Sequence, residues 1–155
     1  MLQRLQDSAF SMWVVGSDSL WSYPTILTLH TVGLAIIVGS AFVIDLRVLG
    51  IGRDVPVQQM RKVFGFFWTG FAVNLASGLV LFAVDAVHKA GQPVFLVKLT
   101  LIAVAIVITA RIRRIAFGTA ADGTSTTPGD ARSLAVASLV LWAGAIIAGR
   151  LMAYL

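Results

Sequence analysis

The chain has 155 residues, no cysteine and only two histidines, and one of those histidines stands in an unusual place. His30 lies within YPTILTLHTVGLAIIVGSAFVIDLRVLG, a stretch from Tyr23 to Gly50 that is apolar almost throughout. An ionisable side chain at lipid depth is costly, which makes it a functional candidate by default. An imidazole there can ligate a metal or simply hydrogen-bond, neutral, to Asn74 or a backbone carbonyl. The other residues able to do chemistry are Asn74 in the second apolar stretch, Lys98 in the third and Arg150 in the fourth. A helical rise of about 1.5 Å per residue puts His30 roughly 9 Å below its helix start at Pro24. Lys98, five residues past Pro93, falls at similar depth, and Arg150 sits near the end of its helix. His88 and Asp85 lie where the second stretch emerges. Most unusual polar groups therefore gather toward one side of the layer.

The elements that must position them follow from composition. Apolar residues make up 58% of the chain and charged ones 12%, about half the charged share of an ordinary soluble domain, roughly 25%. The excess comes in blocks long enough to cross a hydrocarbon layer about 30 Å thick. Backbone groups in lipid must be satisfied within their own segment, so the blocks are helices. The expectation is an all-α integral membrane four-helix bundle in a single domain, 1–155. Its spans fall near 24–48, 61–87, 93–115 and 131–154. Residues 1–20 read as a short N-terminal interfacial helix, with Trp13, Trp21 and Tyr23 at headgroup level, rather than as a cleavable signal peptide. Residues 117–130 are small, polar and Pro/Gly-containing and read as a flexible cytoplasmic linker. Asp130 suits the N-cap of the last helix.

Orientation follows from Lys and Arg. Arg47, Arg53, Arg61 and Lys62 flank one connection and Arg111, Arg113, Arg114 and Arg132 another, whereas the opposite side holds Arg4, Lys89, Lys98 and Arg150. Basic short loops stay in the cytoplasm. The expected location is the bacterial inner membrane, multi-pass, with both termini periplasmic. The net charge of +5 is accounted for by these loops and implies no nucleic-acid partner. The absence of cysteine excludes thiolate metal sites and disulfides.

On the second helix Gly70, Asn74, Ser77, Gly78, Leu81 and Asp85 recur at three- and four-residue steps and share one face. Such a stripe permits close helix approach and interhelical hydrogen bonds, or leaves room for a flat cofactor. Gly33 lies nearly beneath His30, with Ile37 and Ala41 continuing the face. The plainer readings stand beside the chemical ones. Lys98 and Arg150 can snorkel to the headgroups. Asp45 and Arg47 can join Arg61 and Arg111 in a structural ion-pair cluster, and His88 can be a solvated loop residue.

The segments SYPTILTLHTVGLAIIVGSAFVIDLRVLG, FWTGFAVNLASGLVLFAVDA, QPVFLVKLTL and AGRLMAY resemble a family of small bacterial four-helix membrane proteins without an assigned activity. The likeness covers nearly the whole chain apart from the N-terminal helix and the linker. More distantly, the chain resembles CopD-type copper-resistance and HemJ-type protoporphyrinogen oxidase membrane domains. These carry a histidine in the outer half of an early helix, VGS-like small residues after it, and a lysine within VKL. That resemblance implies that His30 and Lys98 occupy haem-site positions.

A b-type haem needs an axial ligand, an apolar slot and partners for its propionates. His30 would supply the first, Gly33, Ile37, Gly78 and Leu81 the second, and Lys98 and Arg150 the third. Asn74 or a carbonyl would accept from the other ring nitrogen. The second axial ligand stays open among His88, Lys98, Met152 and His30 of a second subunit. His88 is shallower by about 9 Å of helix rise, which argues against pairing it with His30 unless the second helix ends early. The expected function is therefore an inner-membrane haem b protein, redox or electron-transferring, with a quinone or a redox protein as partner, the lipid bilayer as solvent and a homo-oligomer as one assembly. The rivals are a copper-binding or transport module and a non-catalytic partner subunit of a membrane complex. Copper(I) favours clustered soft ligands, which one histidine with Met12 and Met152 does not provide.

Overall fold

The computed structural model describes residues 2–16, 22–52, 56–117, 128–152 and 154. Among them there is no strand. The helices are α1 (Leu2–Gln6), α2 (Ala9–Gly16), α3 (Tyr23–Leu49), α4 (Val57–Val84), α5 (Ala86–Gly91), α6 (Pro93–Phe117) and α7 (Pro128–Leu151). Of these, α3, α4, α6 and α7 are long and apolar enough to cross a membrane. Each begins at one of the prolines: Pro24 in the first turn of α3, Pro56 at the cap of α4, Pro93 and Pro128 as the first residues of α6 and α7. Proline fits there because its missing N–H would find no intrahelical partner at a helix start. α3 ends at Gly50, whose φ of 100° turns the chain and whose N–H reaches back to Arg47 and Leu46 carbonyls.

Several boundaries differ from the sequence reading. The second span starts earlier than 61 and stops at Val84, because Asp85 leaves the helical region (φ −136°, ψ 43°) before α5 resumes. Lys89 Nζ folds back to donate to the Leu81 carbonyl at 2.7 Å, satisfying one of the acceptors that every helix end exposes. The last span begins at Pro128, so Asp130 lies in the first turn of α7 rather than at its cap. Within the expected linker, 117 and 128–130 are helical; the remainder, like Trp21 and Arg53, lies outside the described residues. The N-terminal segment forms two short helices rather than one. Ser11 and Val14 are buried where α2 meets α4, while Met12, Trp13 and Val15 remain exposed. α1 docks on α5 through Gln6 Oε1, which accepts the Val87 N–H at 3.1 Å.

The bundle is arranged around α3. α3 packs along α4 on one side and α7 on the other, and α6 packs along α7, so α4 and α6 face each other mainly through side chains. We call the end carrying α1, α2, α5 and the end of α7 the upper end. At mid-depth Phe67 is fully buried among Ile37, Ala41, Ala105 and Trp142, with Trp68 and Trp142 edge-on to its ring. A lower layer joins Ile44, Phe64 and Ile112. Outward faces carry Phe42, Phe66, Leu79, Val107 and Val140 at 50–66% exposure, as expected of side chains that meet acyl chains rather than water.

The α3–α4 contact is the closest. A Cβ on Gly33 would lie 2.9 Å from the Asn74 backbone nitrogen, and one on Gly70 would lie 2.8 Å from Ile36. Neither position has space for a side chain. We expect Gly33→Ala to cost about 1–3 kcal/mol, the usual penalty of overpacking. Gly39→Ala, where nothing lies within 4 Å, should cost nothing. Thermal unfolding in mild detergent checks this; equal shifts for both would contradict the close approach. A second expectation concerns pH. Burial pushes the Lys89 ammonium below the ordinary 10.5, with Asp85 opposing. The unfolded chain then holds the proton more tightly, so Lys89 makes stability rise with pH on approach to 10.5. Lys89→Gln should flatten that slope in unfolding measured across the alkaline range.

Candidate functional site

His30 is held by its position on α3 opposite the small stripe of α4. Nδ1 stands 3.1 Å from the Asn74 carbonyl and 3.2 Å from Ser77 Oγ. A carbonyl can only accept, so Nδ1 carries the hydrogen in this arrangement. Ser77 fits the same assignment: its hydroxyl donates to the Val73 carbonyl at 2.7 Å, which leaves oxygen lone pairs facing the imidazole. The neutral ring is thereby fixed in the tautomer whose Nε2 bears the lone pair. Among the described residues none hydrogen-bonds Nε2, and the residue is only half-buried.

Asn74 answers His30 in the opposite direction. Its Nδ2 donates to the His30 carbonyl at 2.8 Å, so the two residues form a reciprocal pair across the helix contact. The flanking glycines are consumed by the same contact. Gly33 receives the Asn74 backbone, and a Cβ on Gly78 would stand 3.1 Å from His30 Cε1. The stripe expected either to pack helices or to admit a flat cofactor packs helices here. No gap opens between α3 and α4 at His30.

The Lys98 side chain runs to α7, near the end of that helix. Its Cε and Nζ lie against Gly149 on α7, each 3.4 Å from where a Cβ would be. The upper half thus joins an imidazole from α3, an amine from α6 seated on α7, and an amine from α5. Arg150, next to Lys98's seat, is exposed with its guanidinium over the Tyr154 ring at 5.6 Å. Met152 is half-buried past the end of α7.

His88 belongs to a different environment. Although α4 ends early, its imidazole points to the surface, pairing with Asp85 at 3.4 Å with 63% of its side chain exposed. Gln92 lies 3.4 Å from its Nε2. His30 and His88 are not brought together, and Asp85 leaves the α4 stripe to serve α5.

Two features escaped the sequence reading. Ser77 is a direct partner of His30, and its place one turn from Asn74 on the same face was the available signal. Asp45 is 1% exposed and does not enter an ion-pair cluster with Arg47, Arg61 and Arg111. Ser138 of α7 lies beside it, yet neither Asp45 Oδ2 nor Ser138 Oγ completes a hydrogen bond among the described residues. The steps from Ile37 to Ala41 to Asp45, each four residues, already put Asp45 on the buried face. Among the described residues no three His, Cys, Asp or Glu side chains gather in a way that could hold a metal ion.

No curated protein and no solved structure matches the chain. A family model does, over residues 16–155, nearly its whole length. The match takes in all four long helices and every residue of the upper polar cluster. The chain belongs to DUF6644, a family of unknown function.

Proposed function

We propose that the protein is a b-type haem-binding protein of the bacterial inner membrane, with both termini in the periplasm and the site in the periplasmic half of the bundle. One observation carries this reading: the Asn74 carbonyl and Ser77 hold His30 Nδ1, leaving Nε2 as a lone pair that no described residue uses. A ligating histidine is ordinarily oriented in this manner, by a carbonyl on its second nitrogen, which also raises its basicity. Lys98 and Arg150 supply cations in the upper half for propionates. The likeness to CopD-type and HemJ-type membrane domains is part of the same proposal and rests on His30, the small residues after it and Lys98.

The fit differs from the expected one at the slot. Gly33 and Gly78 lie in the α3–α4 contact and cannot also flank a macrocycle. The group must approach the opposite edge of the imidazole, away from Asn74. When bound, haem would supply one-electron chemistry. The chain's own part is to orient the ring through Asn74 and Ser77 and to set cations beside it. His88 is engaged with Asp85 and Gln92 at the surface, so a second ligand would come from Lys98, Met152 or His30 of another copy. A quinone or a redox protein remains the proposed exchange partner.

A second reading, a non-catalytic subunit that packs against other membrane helices, is favoured by the glycine stripe serving helix contact. A copper module has weaker support, since the described carboxylates and imidazoles do not cluster. The wild type, purified in mild detergent after expression with ample haem, should show a haem absorption band and bound iron. His30→Ala should abolish the band, and His88→Ala should retain it. A colourless wild type that co-purifies a stoichiometric partner would favour the packing reading, and bound copper the third.

A further inference from the structure

At the lower end, α4 and α6 enclose a cleft of about 290 Å³ lined by Arg61, Phe64, Gly65, Trp68, Arg113 and Phe117. Neither arginine has a carboxylate partner among the described residues. Both are exposed, and Arg61 lies over the Phe117 ring at 5.7 Å. The aromatic wall is built, since Phe64 packs edge-on to Phe117 at 5.5 Å. Trp68, which closes the cleft from above, keeps its Nε1 buried with no acceptor. The side at Gly65 is open, because a Cβ there would meet nothing within 4 Å.

These features call for a ligand with anionic oxygen acceptors at one end and apolar surface at the other. We propose that the cleft binds the phosphate of an anionic phospholipid. The guanidiniums of Arg61 and Arg113 offer planar, multidentate donors that match phosphate oxygens. Basic pockets between transmembrane helices near a membrane surface favour such head groups. The Phe64, Trp68 and Phe117 rings face the glycerol region, and the opening at Gly65 lets acyl chains leave sideways along α4, past Phe66, which is 64% exposed. Inorganic phosphate shares the anionic chemistry but would leave the aromatic wall and the lateral opening unused. This site stands apart from the His30 cluster and does not depend on the haem reading.

The test uses the full-length protein, stripped of lipid in mild detergent. Phosphatidylglycerol, phosphatidylcholine and inorganic phosphate are titrated separately, and retained ligand is read by native mass spectrometry. Phosphatidylglycerol should be retained in preference to phosphatidylcholine, whose quaternary ammonium the arginines repel. Arg61→Gln and Arg113→Gln should each weaken retention about fivefold, as expected for one basic residue near a membrane surface. Trp68→Phe should weaken it while keeping an aromatic wall. Lys62→Gln, an exposed cation that does not line the cleft, should leave it unchanged. Equal retention of the two lipids, or retention indifferent to both arginine variants, overturns the proposal. Displacement of phosphatidylglycerol by equimolar inorganic phosphate overturns the lipid assignment. The arginines are exposed, so unchanged thermal unfolding of the variants separates lost binding from lost folding.

Discussion

The contact between α3 and α4 is the constraint on which the rest of the bundle depends. Lipid tails are as apolar as the side chains they would replace, so helices in a membrane are drawn together by close packing and interhelical hydrogen bonds. Here both act at one place. The backbones approach across Gly33 and Gly70, and the His30 and Asn74 side chains each bond to the other residue's carbonyl. The pairing satisfies two polar side chains that would be expensive to leave unpaired at this depth. It also fixes the rotation of α3, and with it the faces that Ile37, Ala41 and Asp45 turn toward α7.

The same contact shapes what the upper half can do. Because the glycines are used for helix approach, no flat slot opens between these helices. Because Asn74 and Ser77 take Nδ1, the His30 bonds to α4 all run through that one ring nitrogen among the described residues. Lys98 of α6 lies against Gly149 of α7 in the same half of the bundle. The break at Asp85 then separates surface from interior. It removes His88 and Asp85 to α5, where they pair with each other, and lets Lys89 close the end of α4.

The lower half is organised differently. Asp45 is enclosed between α3 and α7 beside Ser138, with polar atoms that the described residues leave unsatisfied. Arg61 and Arg113 diverge from it toward the α4–α6 opening, where aromatic rings rather than carboxylates flank them. Where α4 meets α3 it presents Gly70, but toward α6 it presents Phe64 and Trp68, so α4 and α6 meet through large rings and leave a cleft. A single bundle thus has a tight side and an open side, decided by side-chain size along α4.

The sequence by itself determined the membrane class, the long helices to within a few residues and the position of the unusual side chains along them. Those properties follow from hydropathy, helix rise and the prolines, all local. It also marked His30, Asn74, Ser77 and Gly78 as sharing faces, because helical period alone sets which residues stack. Only the tertiary structure decided how those faces were used. Whether a glycine stripe admits a backbone or a cofactor depends on the distance between two axes, and no spacing within one helix encodes that distance. The partners of Asp45, the seat of Lys98 on Gly149 and the separation of His88 from His30 likewise depend on which helices become neighbours. Charge type and position along the chain were legible, whereas pairing was not, because an ion pair or hydrogen bond is a relation between segments brought together by packing.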